Sequence, residues 1–252
     1  MENTKQDVTF KNYSICLRDT VETFTKRLIH GLFDSEYQCD NGDDNRDRFI
    51  TILSKLSVDN AAQIWSDFEN TFVFIRTKLD LDAIAAESND PAAKSLEEIY
   101  LAYPGFYAIA VYRLSNQLLQ LGVPTLPRMM SEFAHSYTGA EIHPGAEIGC
   151  SFHIDHATGV IIGESAIIRD YVKIFQGVTL GGISVKKSLA STKRHPTIDS
   201  HVTIYANATI LGGDVVIGEN SIIGANVCIT ESIPENSIVT VQYENKIIQK
   251  KS

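Results

Sequence analysis

The fold is decided by residues 141–154, EIHPGAEIGCSFHI, in which an isoleucine recurs every six residues. The spacing continues, with short interruptions, through three more runs of aliphatic residues: Ile162, Ile168, Ile174 and Leu180; then Ile198, Ile204 and Ile210; then Ile217, Ile223 and Ile229. A six-residue period is neither the 3.6 of a helix nor the 2 of a simple strand. It is typical of a solenoid in which each hexapeptide forms one short side.

This period predicts a triangular prism whose aliphatic positions point inward. Strands of successive coils pair side by side, about 4.8 Å apart. Three sides make a coil of about 18 residues. Residues 136–235 are therefore predicted to form a parallel β-helix of about five coils.

The first half of the chain follows a different pattern. Only four of the 16 glycines precede Gly139, and apolar residues recur three or four apart, as at Val21, Phe24, Leu28 and Leu32. This spacing is typical of amphipathic helices. Residues 1–135 are therefore predicted to be an α-helical domain, and residues 236–252 a C-terminal tail.

The repeat is interrupted at residues 183–197, which we interpret as an excursion loop. Because Leu180 and Ile198 are 18 residues apart, one whole coil, the loop is predicted to replace two sides of the prism. It carries Lys186, Lys187, Lys193 and Arg194 in a chain of net charge −9. Either it is a solvated excursion, or it is a clamp over an anionic ligand.

Composition excludes several classes of protein. The acidic net charge of −9 argues against general nucleic-acid binding. No apolar run reaches the roughly 20 residues of a membrane span, and the polar N-terminus shows no signal region. The four cysteines form no C-x-x-C pair, so the default expectation is a reduced, cytoplasmic location without membrane contact.

Several motifs resemble serine O-acetyltransferase, within the hexapeptide-repeat acyltransferases. They are Ile154-Asp155-His156-Ala157-Thr158-Gly159, Gln176-Gly177-Val178-Thr179-Leu180-Gly181-Gly182 and Lys193-Arg194-His195-Pro196. The resemblance covers about residues 80–235. It implies an α+β fold, with an N-terminal helical domain followed by a left-handed β-helix. It also implies acetyl transfer from acetyl-CoA to L-serine for cysteine biosynthesis, without a metal, by a homotrimer or a dimer of trimers.

The resemblance identifies His156 as the general base that activates the serine hydroxyl. An imidazole has the right pKa for this at neutral pH. Glu141 stands where the family often has Asp, 15 residues before His156. That spacing puts it in the neighbouring coil, close in projection, so a His156–Glu141 dyad is expected.

The resemblance assigns the serine contacts to four residues. Asp90 and Asp155 would hold the ammonium group, Arg194 would hold the carboxylate as a bidentate fork, and His195 would be a second histidine at the substrate. An alternative role for Asp90 is a helix cap before Pro91.

The remaining site residues concern acetyl-CoA. The Gly182 N–H is expected to stabilise the oxyanion of the thioester, and Ala206 to line the pantetheine track. Lys186 and Lys187 are assigned to the CoA phosphates on charge alone. The chain departs from the family here: Tyr205-Ala206-Asn207-Ala208 replaces a Gly-x-Gly-Ala segment, and a Gly-Val-Pro run after the last coil is absent.

Three other functions are compatible with parts of this sequence. One is another hexapeptide O-acetyltransferase, acting on a sugar or antibiotic hydroxyl. Another is a zinc lyase of the carbonic anhydrase type, because His153-Ile154-Asp155-His156 could look like a metal site. The third is a non-catalytic scaffold. The resemblance also implies a partner, because many members of the family dock a C-terminal tail ending in isoleucine into O-acetylserine sulfhydrylase. This chain ends in Ser252 instead, so no stable complex with that sulfhydrylase is expected.

Overall fold

The computed structural model describes residues 14–33, 35–183 and 192–242, with the backbone alone for residues 35–43. Two predictions fall outside these residues. Lys186 and Lys187, predicted to contact the CoA phosphates, belong to the segment between 183 and 192. The C-terminal residues, on which the prediction about the sulfhydrylase rests, follow residue 242.

The N-terminal part is helical, as predicted. Within the described residues seven helices precede the first strand: α1 Leu17–Phe33, α2 Ser35–Lys55, α3 Ala61–Glu69, α4 Phe72–Asn89, α5 Leu96–Ala102, α6 Pro104–Gln120 and α7 Leu126–Thr138. The apolar spacing buries one face of α1, and Phe24 packs there against Phe49 and Trp65. None of the helices in these ranges has the length and apolarity needed to cross a membrane.

The C-terminal part is a parallel β-helix. Its described strands are β1 Glu141–Ile142, β2 Glu147–Ile148, β3 His153–Ile154, β4 Ile161–Ile162, β5 Ile167–Ile168, β6 Lys173–Ile174, β7 Thr179–Gly181, β8 Thr197–Ile198, β9 Thr203–Ile204, β10 Thr209–Leu211, β11 Val216–Ile217, β12 Ile222–Ile223, β13 Cys228–Ile229 and β14 Ile238–Val239. Three parallel sheets form the sides of a prism: the first contains β1, β4, β7, β10 and β13, the second β2, β5, β8 and β11, and the third β3, β6, β9, β12 and β14.

The predicted aliphatic positions form the ladders inside this prism. In the first sheet, Ile142, Ile162, Leu180, Ile210 and Ile229 stack in register. All but Ile142 and Ile229 are fully buried. A bridge between Ile217 and Ile233 extends the second sheet to a fifth level, and β14 extends the third sheet beyond residue 235. The prediction of about five coils is therefore confirmed.

The prediction that the excursion replaces two sides is wrong. Leu180 pairs with Ile210, and Ile198 pairs with Ile168, so β8 is the side that directly follows β7. Leu180 and Ile198 are 18 residues apart, where other successive sides are about six apart. The extra residues are inserted at one corner, and no side of the prism is lost.

The helical layer is fastened to the first coil through buried polar contacts. Arg113 of α6 pairs with Asp82 of α4 at 2.5 Å, with 4% and 0% of their side chains exposed. Arg113 also donates to the Gly149 carbonyl at 2.8 Å, and Asp82 accepts the Phe152 N–H at 2.9 Å. Gly105 lies so close to β3 that a Cβ there would be 2.1 Å from the Ile154 carbonyl oxygen. These contacts set α4 and α6 directly over β3.

Candidate active site

His156 projects from an irregular corner of the prism. Eight residues separate Ile154 from Ile162, two more than the repeat requires. The backbone absorbs them with left-handed conformations at His156, Ala157 and Gly159 (φ 60°, 59° and 79°). As a result the His156 side chain is 70% exposed, and its Nε2 lies 3.7 Å from Asp155 Oδ1. We call the edge where the third sheet turns into the first, at residues 155–160, 175–178 and 205–208, the His156 edge.

Asp90 meets this edge from the helical domain. It follows α4, where its Oδ1 accepts the Ala92 N–H at 2.8 Å and its Oδ2 accepts the Tyr103 hydroxyl at 2.6 Å. These hydrogen bonds, together with the positive potential of His153 and His156, hold the pKa of Asp90 below its usual range. The hydrogen bond to Asp90 raises the pKa of Tyr103 to about 12, and the charge of Asp155 acts in the same direction. Two carboxylates and an exposed imidazole therefore share one electrostatic environment, which suits a cationic group bound beside a base.

His153 lies beneath this cluster. Its side chain faces outward from β3, but α4 and α6 cover it, so the residue is only 2% exposed. Burial lowers the pKa of His153 to about 4, with the charges of Asp155, Lys173, Asp90 and His156 acting on it as well. The imidazole is therefore neutral at physiological pH.

The buried imidazole predicts a specific loss of stability in acid. The pKa of His153 is about 4 in the folded chain, against an ordinary value of 6.5 for histidine, so the unfolded chain binds the proton more tightly. The stability that depends on neutral His153 is present above pH 6.5 and is lost as the pH falls towards 4. The free energy of unfolding should fall through this group by about 3 kcal/mol.

The measurement is urea unfolding between pH 7 and 4 for the unmodified chain and for His153→Phe. The other titrating groups act in both proteins, so the difference between the two curves isolates His153. We expect the curves to diverge below pH 6.5, with His153→Phe less sensitive to acid. If the free energy of unfolding fell equally with pH in both proteins, His153 would not be the group whose protonation destabilises the fold.

Glu141 has a different partner in the chain. Its Oε1 accepts a hydrogen bond from Arg128 of α7 at 2.9 Å, and Arg128 also pairs with Glu132. Among the described residues, Glu141 and His156 form no hydrogen bond or ion pair with each other. The His156–Glu141 dyad thus stays a prediction.

Arg194 and His195 lie at another edge, where the first sheet turns into the second. We call this the Arg194 edge; it comprises residues 143–146, 163–166 and 192–196. Arg194 pairs with Glu164, and its backbone N–H donates to Ser165 Oγ at 2.9 Å. His195 Nδ1 accepts the Ser165 N–H at 3.0 Å. Since a backbone N–H can only donate, the proton of the neutral imidazole is on Nε2.

The His195 ring fits against Gly163, where a Cβ would lie 2.1 Å from His195 Cδ2. Burial, followed by the charge of Arg194, lowers the pKa of His195. His195 is therefore a fixed, neutral hydrogen-bond donor next to a guanidinium, an arrangement that suits an anionic group.

Of the four residues predicted to contact acetyl-CoA, Gly182 and Ala206 lie among the described residues, near different edges. Gly182 directly follows β7, and a Cβ there would lie 3.2 Å from the Arg194 carbonyl oxygen. Ala206 lies on the His156 edge, two coils above His156. Within the described ranges, no group of three or more His, Cys, Asp or Glu side chains could hold a metal ion.

Sequence reasoning missed four residues that support the site. Tyr103 holds Asp90, Arg128 holds Glu141, and Ser165 holds both Arg194 and His195. Lys173 donates to the Asn89 carbonyl at 3.0 Å, directly before Asp90. Each acts across 13 to 84 positions of sequence, so no local motif marks it. The Tyr103-Pro104-Gly105 start of α6 is the one local signal that a turn lies there.

Comparison with known proteins agrees with this architecture. No protein-family model matches the chain. A plasmid-encoded serine acetyltransferase of Synechococcus elongatus is 46% identical over 145 residues, which are 56% of this chain and 46% of that protein. The chain thus spans about half the length of the curated relatives that it matches.

Solved structures match over a greater length. Serine acetyltransferase isoform 3 of Entamoeba histolytica, in complex with cysteine, superposes with a TM-score of 0.77 at 33% identity, covering 96% of this chain and 87% of that one. The Brucella abortus serine acetyltransferase in complex with coenzyme A superposes with a TM-score of 0.66 at 28% identity, covering 88% and 80%. The predicted fold class, helices followed by a left-handed parallel β-helix, is therefore confirmed. The chain belongs to the serine acetyltransferase family.

Proposed function

We propose that the chain is a serine O-acetyltransferase, which converts L-serine and acetyl-CoA into O-acetyl-L-serine and CoA for cysteine biosynthesis. One observation carries the proposal: the exposed His156 has Asp155 Oδ1 3.7 Å from its Nε2, and Asp90 lies within electrostatic range of the same imidazole. Family membership supports it, as does the coenzyme A bound to the Brucella relative. The cysteine bound to the Entamoeba relative has the ammonium and carboxylate groups of serine.

In this reaction His156 takes the proton of the serine hydroxyl as the oxygen attacks the thioester carbon. The thioester carbonyl becomes an oxyanion, for which the Gly182 N–H is a donor. The tetrahedral intermediate then collapses, the carbon–sulfur bond breaks, and the CoA thiolate leaves with the proton that His156 returns. Asp90 and Asp155 bind the serine ammonium, while Arg194 and His195 bind its carboxylate.

The predicted serine contacts lie on two edges of one prism, separated by the strands of the first sheet. A single site that uses both groups needs the His156 edge of one chain against the Arg194 edge of another. A cyclic homo-oligomer repeats this contact around its axis. We therefore propose a trimer, alone or as half of a hexamer, with its active sites between chains.

The direct test is a thiol-release assay with acetyl-CoA and a panel of acceptors: L-serine, L-homoserine and sugars. Serine should be the preferred acceptor by at least about tenfold in kcat/KM, since its ammonium and carboxylate both have partners. Preferential acetylation of a sugar hydroxyl would support the alternative acyltransferase and overturn the proposal.

Asp90→Ala and Arg194→Ala should impair serine use more than acetyl-CoA use. Each variant removes one charge-assisted contact to serine, worth about 1.5–3 kcal/mol, so KM for serine should rise about 10- to 100-fold. KM for acetyl-CoA should change less than about threefold. Equal loss of both affinities would indicate that these residues are structural.

The same two variants test where the site lies. Co-expressed as mixed oligomers, Asp90→Ala and Arg194→Ala chains should regain serine affinity at about a quarter of their sites, because those sites pair two intact edges. If each chain held a complete site, mixing would restore nothing.

A further inference from the structure

We propose that His153 Nε2 is the third hydrogen-bond acceptor for the ammonium group of the substrate, beside Asp90 and Asp155. The inference rests on the proposed function, since it concerns how a primary amino acid is selected at that same site. It adds a specificity-determining residue that sequence reasoning had considered only as part of a metal site.

The position of His153 is exceptional in this prism. Each two-residue strand has one inward and one outward residue. Among the fourteen described strands, only β3 buries its outward residue; in the others this residue is half-buried or exposed. The cause is the helical layer over β3, and the same layer carries Asp90.

The imidazole of His153 lacks a hydrogen bond that its burial would normally require. Its Nε2 is shielded from solvent and has no partner among the described residues. An unpaired buried polar atom destabilises a protein, and an apolar ring of similar size would fill the space without that cost. A polar group retained at a stability cost indicates a functional role. In the proposed site a ligand atom supplies this missing partner.

The surroundings define which ligand atom fits. Asp155 and Asp90 both act electrostatically on His153. A primary ammonium has three N–H donors and no acceptor, so two carboxylates leave one donor unpaired. With its proton on Nδ1, the neutral imidazole accepts this donor at Nε2, whereas a charged imidazolium would repel it. Burial keeps His153 neutral, and the ammonium of the neighbouring Lys173 donates to the Asn89 carbonyl.

Access to Nε2 needs a local movement, because protein atoms cover it in the free chain. The turn that follows α4 carries Asp90, and the side-chain contacts that tie it down are the Ala92 N–H and the Tyr103 hydroxyl on Asp90 and Lys173 on Asn89. Binding of the ammonium to Asp90 exchanges these contacts for new ones. The substrate thus supplies the partner that the buried nitrogen lacks.

The experiment compares His153→Phe, which removes the acceptor, with His153→Gln, which keeps one. Calorimetric titration with L-serine and with N-methyl-L-serine measures affinity without turnover. N-methylation leaves two N–H donors in place of three. In the unmodified chain L-serine should bind about 10- to 100-fold more tightly than its N-methyl derivative. His153→Phe should weaken L-serine by that factor and bring the two ligands within about threefold, while His153→Gln should preserve most of the discrimination.

Thermal unfolding distinguishes a binding role of His153 from a structural one, since loss of a structural contact would lower the unfolding temperature. His153→Phe should unfold at the same temperature as the unmodified chain or higher, because it removes an unpaired buried polar atom. Unchanged discrimination between the two ligands in a folded His153→Phe protein would overturn the inference and leave the proposed function standing. If the unmodified chain neither binds nor acetylates L-serine, the proposed function fails, and the inference fails with it.

Discussion

Replacing His156 with alanine is expected to lower kcat for serine acetylation by about 10²–10⁴-fold, the usual contribution of a general base. The serine hydroxyl has a pKa far above 7, so without an acceptor for its proton it attacks the thioester slowly. His156 projects from the prism with little burial, so the fold should survive the change. The measurement is steady-state turnover, with circular dichroism to verify folding.

The matched control is His201→Ala. His201 also occupies a left-handed corner with φ 60°, but it stacks on Tyr171 at the edge between the second and third sheets, away from the predicted site residues. Its replacement should leave kcat within about threefold. Near-normal turnover in folded His156→Ala would contradict the assignment of His156 as the general base. Loss of activity on treatment with a chelator would favour the zinc lyase instead.

The second large effect concerns stability. Removing one partner of the Asp82–Arg113 pair should lower the free energy of unfolding by about 3–5 kcal/mol, because the remaining charge is left buried and uncompensated. The pair is almost fully inaccessible and also binds the backbone at Gly149 and Phe152. Denaturant unfolding of Asp82→Ala and Arg113→Ala measures the loss.

The control for that experiment is the exposed Glu22–Lys26 pair on α1. Glu22→Ala should cost about 0.3–0.5 kcal/mol, as is usual for exposed pairs one helical turn apart. The double variant Asp82→Leu/Arg113→Met should recover much of the loss, since it leaves no unpaired charge. A loss below about 1 kcal/mol in both single variants would show that the pair does not hold the two layers together.

The fold was largely predictable from the sequence, because each hexapeptide side repeats the same local packing. The aliphatic period identified the residues that form the ladders, from Ile142 to Ile229. Handedness did not follow from the period, since an inward residue every six positions fits either hand. It came from the resemblance alone.

The excursion was misjudged for a related reason. Eighteen residues are both one full coil and one side with a long insertion, so counting from Leu180 to Ile198 cannot separate the two. Strand pairing separates them, because Ile198 stacks on Ile168 and not on Leu180. Pairing is a tertiary property that periodicity alone does not encode.

The site was predictable only where its residues form local motifs. Asp155 and His156 are neighbours in sequence, and so are Arg194 and His195. Asp90 comes within electrostatic range of His156 because α4 packs over β3. The burial of His153 has the same origin, and nothing near it in sequence distinguishes it from the exposed residues at the matching positions of other strands.

Both groups of predicted site residues occur where the six-residue spacing fails: His156 at a corner with two extra residues, Arg194 and His195 at the end of the long insertion. A chain with regular spacing throughout would form the same ladders and fold into a stable prism, but it would lack the irregular corners that carry the predicted site residues. Insertions and deletions at corners are therefore the changes by which such prisms gain, lose or exchange substrates, since the ladders on either side keep their register. Among related prisms, the lengths of the corners should track the acceptor that is acetylated more closely than the residues of the ladders do.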